Sequence, residues 1–487
     1  MAKLSKWSAC VLILFVWLAG CATYPLNQQN YTFEEKTGYR FDTLAPGPHN
    51  TDSLFICLMF SGGGTRAASL AYGVMEELRN TRIRLDGVEK SLLEEVDCIS
   101  SVSGGSFTAA YYGLFRDRLF DDFRKKFLER NIQRALTIKL LNPFNLFRVA
   151  SPWFGRIDLA AELYDNDIFD SAIFFQLEQN GRPFIILNAT NLGPGRRFDF
   201  TQEHFDAIGS RLDLYNISRA VAASSAFPFL LSPISLKNHP LADGYAEPWW
   251  YKNALTPKDW TSTRYDAAKN LSVYLDKGNA YIHLMDGGLS DNIGAHAIIN
   301  AYDRGFIRTR INEGVINQLV LIVVNARTKS EDQISREEKP PGLITVAGKT
   351  ATVAMDNYSF ESVDKMRQWL YERVQTQKNI AECSRLLEER CPKAPRPFPF
   401  EAEIDPYVVE INFEATAQLP GEDSRYYLDL PTSFNLNKEQ VDKLIAIGPK
   451  LLRDSPQYQC LLKVLKAEAA GSTRPKECPI GAGIKGN

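Results

Sequence analysis

The sequence predicts an α/β fold, a mostly parallel central sheet covered by helices, with a C-terminal α+β extension. Three observations lead there. Apolar runs of strand length at 54–60, 96–99, 184–187 and 319–324 are bounded by turn residues, as buried strands are. Helical stretches such as 67–79 and 106–130 lie between them, and strand alternating with helix builds a parallel sheet with both faces covered. The composition is that of a globular chain: 487 residues, 45% hydrophobic, with 56 basic and 58 acidic side chains and a formal charge of -2. Disordered chains are poorer in apolar residues and less evenly charged, and dedicated nucleic-acid binders are basic. Past the N-terminus no apolar run reaches the roughly 18 residues of a membrane span, which excludes a multispanning protein.

In chain order, residues 1–20 read as an export signal. Lys3 and Lys6 precede an apolar run from Ala9 to Ala19, too short for a stable span but suited to a secretory leader. The run ends in Leu18-Ala19-Gly20-Cys21, which resembles the bacterial lipobox. Cleavage before Cys21 would leave that cysteine diacylglycerol-modified and N-acylated, and would take the formal charge from -2 to -4. An ordinary signal peptide or a transmembrane anchor is the alternative. Ala22 in place of an aspartate resembles the outer-membrane sorting signal of such lipoproteins, so the expected location is the bacterial outer membrane. Residues 21–50, with Pro25, Pro46 and Pro48 and no clear period, read as a tether. The core is expected over 51–330. From 331 to 487 the pattern changes to a polar linker, a helix at 356–378, a proline-rich link at 392–399, a strand at 407–413 and a helix at 438–452. Export favours disulfides. Cys57 and Cys98, in apolar runs, are expected to be buried thiols, and Cys383, Cys391, Cys460 and Cys478 to form disulfides of unassigned pairing.

Three motifs carry chemistry. Ser61-Gly62-Gly63-Gly64-Thr65-Arg66 follows the first strand and precedes a helix. Its glycines allow backbone N–H groups to face a ligand oxygen, and the Lys-Ser/Thr ending of a phosphate loop is absent. Ser101-Val102-Ser103-Gly104-Gly105 lies between a strand and a helix, the arrangement of a nucleophile elbow, with Ser101 where a glycine is usual. Asp286-Gly287-Gly288 follows the strand-like run 280–285 and would project a carboxylate into a cleft. Asp243-Gly244 is a rival that lacks the second glycine and the preceding strand.

Taken together and in this order, the motifs resemble those of the patatin-like phospholipase family over roughly residues 50–330. Ala222-Ala223-Ser224-Ser225-Ala226-Phe227-Pro228 also looks like that family's helix end before the aspartate. The resemblance implies a three-layer fold and a catalytic domain over 51–330. It implies Ser103 as nucleophile and Asp286 as general base, with Gly62, Gly63, Gly64 and Arg66 as the oxyanion segment. Ser101, Gly104, Gly105, Gly287 and Gly288 would support the turns. Arg66 would fix the loop or add positive potential. The implied activity is a membrane-anchored serine acyl hydrolase acting on lipid esters, with membrane lipid as substrate and no metal, cofactor or nucleic acid required.

Two rivals remain. A Ser-His-Asp triad would draw on Ser103, Asp243 or Asp286, and His296. A non-catalytic lipid-binding envelope protein would keep the fold without the reaction. The apolar, aromatic stretch 136–154, broken by Pro143 and Pro152, is either a buried segment capping the core or a lid or interfacial patch.

Overall fold

The computed structural model describes residues 22–48, 50–256, 260–328, 338, 340–393 and 404–472. The leader and Cys21 lie outside the described residues. In chain order the strands are β1 Leu54–Phe60, β2 Arg82–Leu85, β3 Val88–Ser91, β4 Val96–Val102, β5 Phe184–Asn191, β6 Arg196–Asp199, β7 Ile234–Lys237, β8 Tyr281–Asp286, β9 Gln318–Asn325 and β10 Asp405–Asn412. β2 and β3 form a separate hairpin, and the others make one sheet in the order β10-β9-β1-β4-β5-β8-β7, with β6 on β5. β10, β9, β1, β4 and β5 run parallel. β6, β7 and β8 are antiparallel to their neighbours. β1, β4, β5 and β9 are buried along their whole length, which is why their apolar runs do not alternate.

The helices that matter below are α1 Thr65–Asn80, α2 Gly104–Phe115, α3 Ile132–Leu141, α4 Pro143–Val149, α5 Arg156–Asp167, α6 Ile217–Ser224, α7 Ala295–Arg304, α8 Leu343–Arg390 and α9 Lys438–Asp454. With the sheet they make the three-layer α/β fold. The helix expected over 106–130 stops at Phe115, because Arg116 enters the left-handed region at φ 52°. The Arg116 guanidinium holds that corner, donating to the carbonyls of Asn180, Gly181 and Arg182.

The C-terminal region completes the sheet. β10 pairs with β9 from Asp405↔Gln318 to Asn412↔Asn325. α9 lies against α1 at a glycine crossing, where a Cβ on Gly73 would fall 2.2 Å from the Ile445 carbonyl oxygen. α8 runs 48 residues, well beyond the expected 356–378, and brings Met355 against Gly288.

The cysteines depart from expectation. Cys57 and Cys98 sit opposite each other in the β1–β4 register with Cα atoms 4.7 Å apart, and they are disulfide-bonded rather than free. Cys383 and Cys391 are free and exposed, whereas Cys460 is disulfide-bonded. Cys478 lies outside the described residues. The apolar stretch is not a buried cap: Ile138, Leu141, Phe144, Leu146 and Trp153 are exposed, although Phe154 is buried. At the amino ends of β4 and β5 lies a cavity of about 620 Å³ bordered by Arg79, Arg82, Arg116 and Arg182, and no motif residue lines it.

Candidate active site

Three strand ends converge on one point. β4 leads through Val102 into Ser103, which has φ 50° and ψ -119° and directly precedes α2. A non-glycine residue in that region is strained and must be held by its surroundings. The hold is visible. The Ser103 N–H donates to Ser224 Oγ at 2.9 Å, and Ser224 Oγ donates to the Asn188 carbonyl at 2.6 Å. Ser106 Oγ lies 2.9 Å from Ser224 Oγ and 3.2 Å from Ser101 Oγ. Ser224, at the end of α6, stands out in the sequence only as part of a helix-end motif; its bond to the elbow depends on a fold-level meeting that sequence spacing does not reveal.

Ser101 fits where a glycine was expected because its hydroxyl is absorbed between strands, donating to the Ile186 carbonyl at 3.3 Å. Gly104 has no latitude: a Cβ there would fall 2.0 Å from the Gly64 carbonyl oxygen. A Cβ on Gly105 would meet Phe60 Cβ at 2.7 Å.

β8 ends on Asp286, as the sequence predicts. Its Oδ2 accepts from Ser103 Oγ at 2.9 Å and its Oδ1 accepts from the Gly288 N–H at 2.9 Å. Thr190 Oγ1 donates to the Asp286 carbonyl at 2.8 Å, and the Asp286 N–H donates to the Ala226 carbonyl at 3.0 Å. Two bonds thus fix the carboxylate and two more fix the backbone that carries it. Burial pushes its pKa up to about 6, against the lowering effect of the bonds from Gly288 and Ser103. Gly287 lets the turn pass the Asn188 carbonyl, 2.3 Å from where a Cβ would stand.

The glycine loop packs on the elbow, and a Cβ on Gly62 would sit 3.3 Å from Ser103 Cβ. The Gly62 N–H is already donated to the Asn292 carbonyl at 2.9 Å, so this glycine supplies close approach rather than a free donor. That differs from its expected place in the oxyanion segment. The N–H groups of Gly63 and Gly64 have no acceptor among the described residues. Gly64, at φ 61°, lies against Ser433, whose carbonyl accepts from the Thr65 N–H at 2.9 Å. Arg66 donates to the carbonyls of Ala326 and Leu430 and to Thr432 Oγ1. Of its two expected roles, fixing the loop is the one these bonds perform.

His296 and Asp243, the residues particular to the rival triad, have other partners. His296 is half exposed and pairs with Asp291, Nδ1 to Oδ2 at 3.3 Å. Burial alone would raise the Asp291 carboxyl, but charge and hydrogen bonds from His296 outweigh it and hold the pKa below the usual range. His283 meets Ser235, His239 meets the Asn27 carbonyl, and His204 meets Thr201. His49 lies outside the described residues. Asp243 is engaged through its backbone with Tyr31 and Phe33 of the N-terminal segment. Among the described residues no cluster of three or more His, Cys, Asp or Glu forms a metal site.

Residues 58–299 match the family described as patatin-like phospholipase. Among solved structures, the chain is similar to human GIVD cytosolic phospholipase A2 at 14% identity and a TM-score of 0.34, over 59% of this chain and 51% of that one. With the same protein in complex with methyl gamma-linolenyl fluorophosphonate, the values are 11% and 0.38, over 87% and 60%. With VipD from Legionella pneumophila they are 11% and 0.28, over 89% and 73%. The chain spans between about half and three fifths of the length of the human phospholipase chains. No curated protein matches it in sequence. The match over 58–299, carried on a mostly parallel sheet with Ser103 at the end of β4 and Asp286 at the end of β8, gives the chain a domain of the patatin-like phospholipase family.

Proposed function

We propose that the protein is a serine acyl hydrolase of lipid esters, phospholipids foremost, working through a Ser103–Asp286 dyad and held at the membrane through a lipidated Cys21. The observation that carries this reading is the 2.9 Å bond from Ser103 Oγ to a buried Asp286 carboxylate, at a serine held in strained backbone before a helix. Asp286 Oδ2 takes the Ser103 proton as Oγ bonds to the ester carbonyl carbon, and the carbonyl oxygen becomes an oxyanion. The N–H groups of Gly63 and Gly64, without an acceptor among the described residues, and the α2 N-terminus behind Ser103 are the groups suited to hold that charge. Collapse breaks the bond to the leaving alcohol, which receives the proton from Asp286. Water, deprotonated by the same carboxylate, then attacks the acyl-enzyme and frees the fatty acid and Ser103. A carboxylate with pKa about 6 is a stronger base than an exposed aspartate, which suits this work. Attachment through Cys21 in a bacterial envelope rests on the lipobox-like sequence, and an outer-membrane location rests on Ala22 after it.

The test is fatty-acid release from a panel of defined phospholipids, lysolipids and neutral esters by wild-type and Ser103→Ala protein. Release from at least one lipid class, lost in the variant, supports the reading. Equal release by both proteins, or none from any lipid, removes it.

A further inference from the structure

The helical pair α3–α4 is tied near both of its ends to segments that hold the site. At its start, the Gln133 N–H donates to the Phe434 carbonyl, next to the Ser433 that holds Thr65 of the glycine loop. Past its end, Arg156 Nη2 donates to the Phe229 carbonyl at 3.0 Å. Phe229 is three residues beyond Ala226, the acceptor for the Asp286 N–H. Around this frame Ile138, Leu141, Phe144, Trp153, Phe229 and Leu230 stand 54–71% exposed. Single exposed apolar residues are ordinary, but a group of them, three aromatic and ranged around one frame, is the mark of an interaction surface.

Two features identify the occupant. Residues 132–149 carry Arg134, Lys139 and Arg148 and no acid, and Glu162 of α5 ties Lys139 and Arg148 down on one flank. The apolar side is therefore left clear, on a helical pair that an anionic surface would not repel. The N-terminal segment also leaves from the same place. Ser151 Oγ donates to the Ala22 carbonyl at 2.7 Å, and the Tyr24 N–H donates to the Trp153 carbonyl at 2.8 Å. The residue before Ala22 is Cys21, so any membrane attachment made there begins beside this patch.

We propose that this surface docks on the lipid bilayer, seating the mouth above Ser103 against the membrane from which the substrate comes. Its use in turnover rests on the hydrolase reading above, whereas the docking geometry does not. The experiment therefore reads contact without turnover. Full-length Ser103→Ala protein is reconstituted in vesicles of phosphatidylethanolamine and phosphatidylglycerol, with and without dibrominated acyl chains, and tryptophan quenching is compared with that of the Trp153→Phe form. The predicted result is a quenched emission component that disappears with Trp153→Phe and falls by at least about half when Phe144 and Leu230 are changed to serine. An emission from Trp153 indifferent to brominated lipid overturns the proposal, as does quenching unchanged by the serine substitutions. Failure of the hydrolase reading would leave this quenching intact. Failure of docking would leave hydrolysis of a water-soluble ester by wild-type protein intact.

Discussion

At Ser103 and Asp286 the chemistry turns on a buried carboxylate bonded to a strained serine. Burial holds Asp286 near pKa 6, so the base is lost as pH falls below that value. kcat/KM on a soluble ester is predicted to rise tenfold per pH unit below about 6 and to level above it. The stability effect has the opposite sign. A carboxyl whose pKa is higher folded than unfolded is most favourable to folding when protonated, below the unfolded value of about 4, and that contribution is lost as pH rises through about 6. The ionised side chain then costs on the order of 3 kcal/mol. Asp286→Asn is predicted to abolish turnover while raising Tm above wild type at pH 8, with the gap closing toward pH 4. Thermal melts across that range check it; a variant less stable at pH 8 would mean that the Ser103 bond outweighs desolvation.

The elements that carry these residues were legible to different degrees. β1 was readable to its ends, because a strand buried on both faces is a plain apolar run between turn residues. β8 and its terminal aspartate were readable from the Asp-Gly-Gly that follows. The end of α2 was not, since the left-handed Arg116 depends on carbonyls from residues 180–182 that local sequence does not display. β6 and β7 were missed because four-residue edge strands leave almost no period. The joint between loop and elbow is the most exacting element, because Gly104 meets the Gly64 carbonyl with no room for a methyl group. Gly104→Ala is predicted to cost about 1–3 kcal/mol, as overpacking does, and to lower kcat by at least about a hundredfold through a displaced Ser103. Urea unfolding combined with esterase assays measures both; wild-type kcat in a folded variant would show that the contact is slack.

For the whole molecule, the boundary drawn at residue 330 from motif content understates how the chain is built. β10 covers β9 along its full length, α9 crosses α1 at paired glycines, and residues 430–433 hold Arg66 and the glycine loop. No motif flagged these parts because their contribution is pairing and packing between segments far apart in the chain, 364 positions for Leu430 and Arg66. Deleting residues 404–487 is predicted to abolish cooperative unfolding by circular dichroism and all esterase activity. A truncated protein that melts cooperatively and turns over ester would make the region dispensable. The Cys57–Cys98 disulfide was hidden for a related reason, since only the β1–β4 register brings the two cysteines opposite each other.

The most direct test of the central claim is to locate, by peptide mass spectrometry, where a fluorophosphonate attaches to the native protein. The account predicts one adduct, on Ser103, formed in wild type and His296→Ala and lost in Ser103→Ala and Asp286→Asn. An adduct on another residue, or one that persists in Asp286→Asn but vanishes in His296→Ala, would contradict it.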